Sequence, residues 1–332
     1  MSNIHTLQKI FPAGFDNGYG SLKLLVEGFE VVRVPSYIST VEMEDVPGRV
    51  VFNGTAYTVG ESAYRTGNYF DRNTDNNENK VNNALLTLLG ALAHLPHRRA
   101  WHLKLVVSLH DVGLAEELQK VLNGEYQPIL AGKQSDVKVE VLKVVLEGMG
   151  ALFGHPLPKK LTILDFGNGT TLYSRYNRGQ REVHTAYPIG VEVLIDDISQ
   201  KMKHLNGGKI GDPSKIRFCL EMGHTKYSRD IDIKDIYSAS LKDWYEKYLK
   251  KVVNLTLDAK HQGDEIWAIG GGCLLPGFKK LLEKNGFKIL DNPVEANVFG
   301  LLEMAKTISS KNPTTTSLRD LQENKIPVIL EE

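Results

Sequence analysis

The chain has 332 residues, 42% hydrophobic and 24% charged, an ordinary globular composition with length for about two domains of ~150 residues each. Forty basic residues against forty acidic ones leave no net charge, which excludes a whole-surface attraction to nucleic acid or anionic lipid, so any DNA contact needs a local patch or an adaptor. Two cysteines, Cys219 and Cys273, are too few for a disulfide framework and are not spaced as a metal knuckle, which suits a reducing cytoplasm.

Residues 11–34 alternate short apolar runs with turns, "FDNGYG", "LKLLVEG" and "FEVVRV", and predict two or three antiparallel strands. Residues 37–76 read as a small inserted subdomain of short strands, leading into an exposed polar loop, "DRNTDNNENK". From Val81, apolar residues recur at Ala84, Leu85, Leu88, Leu89 and Leu92, the spacing of a helix. This most apolar stretch falls short of the ~20 residues a membrane span needs, and the first thirty residues lack the basic start and apolar block of a leader. His94, His97 and His102 straddle Pro96, which breaks any helical ligand pair, so a surface loop with solvated Arg98 and Arg99 is expected there. A buried strand at 103–109, a helix starting at Asp111 and a strand at 137–148 complete the first half.

The second half repeats the theme, because "LTILDFGNGTTLYSRYNRG" (161–179) is again strand, acid, two glycines, hydroxyls, strand. Helices are expected near 190–204, 213–222 and 235–261. The last carries Leu241, Trp244, Tyr245, Tyr248, Leu249, Val252 and Val253 on one packing face. A strand at 265–272 feeds a turn and a helix from Gly277, and residues 311–332 read as a flexible tail.

The two acid-bearing hairpins, "DNGYGSLK" from Asp16 and "DFGNGTT" from Asp165, each put glycines where backbone approaches something closely and leave N–H groups and hydroxyls free at the bend. That is a phosphate cradle made of β-turns. A P-loop is excluded, since no GxxxxGK[ST] exists, and the dinucleotide fingerprint lacks its third glycine. Two carboxylates facing one polyphosphate repel it unless a divalent cation lies between, so Asp16 and Asp165 point to Mg²⁺ held largely through water, with Lys23 offsetting phosphate charge. Either hairpin alone reads as a tight turn with a capping acid. Two copies, each leaving a predicted strand, favour the phosphate reading. A third cluster, Gly270, Gly271 and Gly272, lies between a strand and a helix and offers bare backbone to an anion or nucleoside.

In order and spacing, "DNGYGSLK", "LDFGNGTT" and "AIGGGCLLPG" resemble the two phosphate motifs and the adenosine motif of the actin, sugar-kinase and heat-shock-chaperone ATPase superfamily, over nearly the whole chain. "LEGMGALFG" (146–154) resembles the crossing segment in which that family carries a Gln or Glu to orient the attacking water, and Glu147 is the matching position. "NPVEANVFGLLEMAKT" (292–307) and "AYPIGVEVLIDDISQ" (186–200) are similar to ParM/StbA-type plasmid-segregation actins, and Lys215 in "GDPSKIRFC" resembles a lysine beside the adenine ring. The resemblance implies an α/β, actin-like (ribonuclease H-like) two-domain fold with a nucleotide cleft between the lobes. Domain I would take 1–158 with about 296–310, and domain II 159–295. It implies an ATPase using ATP/ADP and Mg²⁺ that assembles into homopolymer filaments with ATP and loses them after hydrolysis. Its cargo would be plasmid DNA held through a DNA-binding adaptor, without direct nucleic-acid contact.

The residues carried over are Asp16, Glu147 and Asp165 for catalysis, of which Asp16 and Asp165 would also hold the metal, largely through water. Around the nucleotide stand Asn17, Gly18, Tyr19, Gly20, Ser21, Lys23, Gly167, Asn168, Gly169, Thr170, Lys215, Gly270, Gly271 and Gly272. The first hairpin is closer to actin's own D-N-G-x-G than to the common bacterial segregation pattern, and 37–76 has no counterpart in the resemblance. Two other readings stay open: a small-molecule kinase with Asp111 as base, although Asp111 also suits a helix N-cap, and a non-cycling nucleotide-binding scaffold of divisome type.

Overall fold

The structure, a computed structural model, describes residues 9–41, 43–66, 70–72, 77–153 and 155–310; the flexible-tail expectation for 311–332 lies outside the described residues. By backbone contacts these separate into two compact units, one running to Gly154 and resuming at Asn297, the other spanning His155–Ala296.

In the first unit, β1 (Ile10–Asn17), β2 (Ser21–Val26) and β3 (Val32–Pro35) form an antiparallel meander. Next come β4 (Tyr37–Ser39), β5 (Arg49–Phe52), β6 (Thr55–Val59), the short α1 (Glu61–Tyr64) and β7 (Asp71–Arg72). Helices α2 (Asn77–Asn82) and α3 (Ala84–Leu92) precede β8 (Ala100–Leu109), which pairs parallel with β1. After α4 (Ala115–Leu122) come β9 (Gly124–Tyr126), β10 (Ile129–Leu130), β11 (Lys133–Gln134) and β12 (Asp136–Leu146), the last parallel to β8. The main sheet runs β3-β2-β1-β8-β12-β9.

The inserted segment is less self-contained than its sequence suggests. Its sheet runs β11-β10-β5-β6-β4-β7, so residues 129–134 complete it from a distant part of the chain. The described parts of the polar run 71–80 are not loop either. Asp71–Arg72 pairs with β4, and helix α2 carries Lys80 inward, where its ammonium meets a carboxylate. His102 lies inside β8, 3.7 Å from Glu140, rather than in a surface loop. Arg98 and Arg99 are exposed, as expected, and the Arg98 guanidinium also lies over the Phe11 ring at 5.0 Å, a cation–π contact.

In the second unit, β13 (Lys160–Phe166), β14 (Thr171–Asn177) and β15 (Gln180–Tyr187) form another antiparallel meander. It is followed by α5 (Val191–Lys201), α6 (Pro213–Glu221), α7 (Lys234–Trp244), one π-turn at Tyr245–Leu249 and α8 (Lys250–His261). Strand β16 (Glu265–Ile269) runs parallel to β13; α9 (Phe278–Lys284) and β17 (Lys288–Ile289), parallel to β16, close the sheet β15-β14-β13-β16-β17. The π-turn changes the residues per turn locally, and Trp244, Leu249, Val252 and Val253 are buried while Tyr248, expected on that face, is 43% exposed.

The two main sheets share a five-strand plan, three antiparallel strands and then two parallel ones with the first strand of the meander in the middle, to which the first sheet adds antiparallel β9 at its edge. Helix α10 (Ala296–Ser310) packs in the first unit, Val298 and Leu302 against Leu25, and Leu301 and Ala305 against Val106. Its approach requires bare backbone: a Cβ on Gly14 of β1 would lie 2.7 Å from the Leu302 nitrogen.

Candidate functional site

The first hairpin is a ladder end with Asp16 opposite Lys23 and Asn17 opposite Leu22, bending through Gly18, Tyr19 and Gly20 to Ser21. Asp16 is buried. Lys23 Nζ donates to its Oδ2 at 3.0 Å, and Ser108 Oγ, at the end of neighbouring β8, donates to its Oδ1 at 2.8 Å. Burial alone pushes the Asp16 carboxyl up, but the charge and hydrogen bond of Lys23, the Ser108 hydroxyl and the charge of Lys80 outweigh it and hold the group below its ordinary value, hence ionised. The bend is braced from outside, since Ser36 Oγ donates to the Gly18 carbonyl at 2.6 Å.

Glu147 stands in the turn leaving β12, its N–H donating to the Leu109 carbonyl at 3.1 Å. Its carboxylate accepts a hydrogen bond from the buried Lys80 ammonium, and the Lys80 carbonyl accepts from Asn17 Nδ2 at 3.1 Å. Helix α10 joins the same network: Asn297 Nδ2 donates to Ser108 Oγ at 3.1 Å, and Asn297 Oδ1 accepts from the Gly150 N–H at 2.9 Å. Both ring nitrogens of His110 are buried without a hydrogen-bond partner. Burial pushes the His110 pKa down and Lys80 pushes the same way, against Glu147 and Asp111. Asp111 itself accepts from the Gly113 N–H at 2.8 Å as the N-cap of a short 3-10 turn, Val112–Leu114.

The second hairpin places Asp165 opposite Leu172 and Phe166 opposite Thr171, bending through Gly167, Asn168, Gly169 and Thr170. The start of α5 holds this bend: N–H groups of Gly190, Val191 and Glu192 donate to the carbonyls of Gly169, Gly167 and Asn168 at 3.2, 3.1 and 2.9 Å. The Asn168 side chain donates to Glu192 Oε2 at 2.7 Å, and Arg217 donates to the same oxygen. Strand β16 ends at Ile269, so the glycine cluster is a turn, with Gly271–Leu274 in 3-10 form, rather than the end of a strand. Gly270 has φ +84°, and a Cβ there would lie 2.3 Å from Asp165 Oδ1; only glycine admits both the conformation and the contact. Burial, with Asp165 adding to it, pushes the neighbouring Cys273 thiol up to about 12. Lys215 is exposed, its ammonium 5.9 Å over the Tyr227 ring.

Within the first unit, then, Asp16, Asn17, Lys23 and Glu147 belong to one hydrogen-bonded assembly; within the second, Asp165 lies against the glycine turn and Asn168 is tied to α5. Sequence reasoning missed Lys80, Ser108, Asn297, Glu192 and Arg217. Three left signals: Lys80 sits one helical turn before Ala84 on the apolar stripe, Ser108 interrupts a buried strand, and Asn297 opens an apolar helix.

Residues 14–150 match the family model described as the N-terminal domain of actin-like proteins. The fold is actin-like. Solved structures support the fold of this actin-like chain along most of its length. A non-polymerisable quadruple mutant of pCBH ParM superposes with TM-score 0.71 at 20% identity, covering 90% of this chain and 100% of that one. Bacillus thuringiensis ParM with ATP gives 0.70 at 17%, covering 91% and 100%. An archaeal actin homologue in complex with ADP gives 0.70 at 17%, covering 90% and 99%. At these identities the likeness is one of fold. No curated protein matches the sequence, and no helix among the described residues is long and apolar enough to cross a membrane.

Proposed function

We propose that this actin-like chain is an ATPase that assembles into filaments in its ATP-bound state and loses them after hydrolysis. The observation that carries the reading is duplication: two sheets that share a five-strand order each end the first strand of their meander in an acid-bearing, glycine-rich hairpin. Bacillus thuringiensis ParM, similar in fold, is known with ATP, ADP and AMPPNP.

The bends 17–21 and 167–170 would cradle the phosphates, the Gly270–Gly272 turn the nucleoside, and Lys215 the base. Among the described residues no three His, Cys, Asp or Glu form a metal cage, and both Asp16 oxygens already accept hydrogen bonds. Asp16 and Asp165 would then serve as outer partners of a Mg²⁺ held through its water shell and the substrate's own oxygens. Bound Mg²⁺ would neutralise charge developing on the phosphates. Lys23, engaged with Asp16, fixes the acid and the local charge. Glu147 would orient a water whose oxygen bonds to the γ-phosphorus while the bridging oxygen leaves with its electron pair, giving ADP and inorganic phosphate and releasing a proton to solvent.

Filaments of this kind would carry plasmid DNA through a DNA-binding adaptor, a division of labour that fits the absence of net positive charge. Light scattering with ATP, ADP and no nucleotide, followed by electron microscopy and phosphate release, tests the reading. Assembly with ATP alone, followed by phosphate release and disassembly, is expected. Assembly indifferent to nucleotide, or transfer of phosphate to a small molecule, would overturn it.

A further inference from the structure

The Lys80–Glu147 pair raises a question for the ATPase reading. Glu147 must offer a carboxylate oxygen to water, yet in this structure that carboxylate is engaged by an ammonium. Lys80 is itself 5% exposed, and a buried cation is held only where charge and hydrogen bonds compensate its lost hydration. Two buried or largely buried cations, Lys23 and Lys80, here balance two acids, Asp16 and Glu147.

The two pairs differ in how they can respond to a ligand. Lys23 and Asp16 face each other across a strand ladder, so their separation is set by the sheet. Lys80 stands on α2, outside the sheet, and reaches the hairpin through its own carbonyl, which accepts from Asn17 beside Asp16. Its charge is felt at Asp16 itself. A long ammonium side chain can change partners by rotamer alone, and the Glu147 backbone stays tethered to Leu109 while its side chain is released.

Resting on the ATPase reading, we propose that Lys80 is a terminal-phosphate sensor that positions Glu147. With ADP the ammonium stays on Glu147 and the carboxylate is closed to water. The γ-phosphate of ATP, a stronger and multiply charged acceptor, draws the ammonium from Glu147, and the freed carboxylate becomes the acceptor for the attacking water. After phosphate leaves, the pair re-forms. The same residue would thus couple discrimination between ATP and ADP to the onset of hydrolysis.

Titration of ATP and of ADP into the full chain, with single-turnover phosphate release and thermal unfolding alongside, tests this. Lys80→Gln should lower the preference for ATP over ADP by about tenfold, the scale of one charged hydrogen bond, while leaving ADP affinity within about twofold. Glu147→Gln frees the ammonium for phosphate and should raise the ATP preference, the opposite sign, while abolishing hydrolysis. Lys80→Arg should keep most of the preference. A purely structural Lys80 predicts equal losses for both nucleotides in Lys80→Gln and no opposite shift in Glu147→Gln, and that result would overturn the inference. If Lys80→Gln fails to fold, the signs for Lys80→Arg and Glu147→Gln decide alone. A wild type that binds ATP and hydrolyses it while the variants leave the ratio unchanged refutes the sensor only; a wild type that binds neither nucleotide refutes the ATPase reading and the sensor with it.

Discussion

The two hairpins occupy the same place in the five-strand plan that the two sheets share, yet they handle their acids differently. Asp16 faces Lys23 across the ladder and is pinned at both oxygens; Asp165 faces Leu172 and lies against the bare backbone of Gly270. Besides Arg217 and Glu192 beside its bend, the second unit has an ion pair at the opposite end of the sheet. There Arg175 donates from Nε and Nη2 to both oxygens of Asp264, at 2.8 and 2.9 Å, and Thr162 adds a third hydrogen bond at 2.8 Å. The first hairpin acid thus meets a cation across its own ladder, whereas the second unit's arginines hold Glu192 beside the bend and Asp264 at the far end of the sheet. Local charge sets how firmly an acid is held; the shared backbone plan sets only where it stands.

Glu147, tied to the first hairpin and without counterpart in the second, carries the largest expected effect. Glu147→Ala should slow phosphate release ~10²-fold or more while ATP binding and assembly persist as long-lived filaments; release at full speed would detach Glu147 from the chemistry. Next comes Lys23→Leu, which makes the first hairpin imitate the second. It strands a buried carboxylate, both partners being about a tenth exposed, and should cost about 3 kcal/mol in denaturant unfolding. An unchanged midpoint would mean that the contrast between the hairpins has no energetic content.

Asp264→Ala should cost less, about 2 kcal/mol, because the stranded Arg175 side chain is 23% exposed and can turn to water. The same pairs make stability pH-dependent. Burial pushes both acids up, but Lys23 on Asp16 and Arg175 on Asp264 outweigh it, so each carboxyl titrates below its ordinary 3.8 in the folded chain. Their contribution is therefore full above that value and is lost as the pH falls below it. Thermal melts in acid should show this loss, and Asp264→Asn should flatten the second unit's share. Gly270→Ala closes the set at about 2 kcal/mol or more, from left-handed backbone and a Cβ crowding both Asp165 and the Phe166 carbonyl, read as a shift in melting temperature together with weaker ATP binding.

Much of this molecule is legible in its sequence because much of it is local. Turn chemistry, strand alternation and helical spacing depend on residues a few positions apart, so both hairpins, the Asp111 cap, the glycine turn and most helices can be read from one stretch at a time. The exposed Tyr248 marks the limit of that reading, since a π-turn changes the residues per turn locally while Leu249, Val252 and Val253 keep the packing face. What only the tertiary structure decides is partnership over distance. Lys80 meets Glu147 across 67 positions and Asn297 meets Ser108 across 189, while residues 129–134 complete a sheet begun near residue 37. No periodicity encodes these, because a buried charge is stable only beside the compensating group that folding happens to bring to it. The sequence by itself determined where acids and bends stand along the chain; the packing of distant segments decided which ammonium holds which acid.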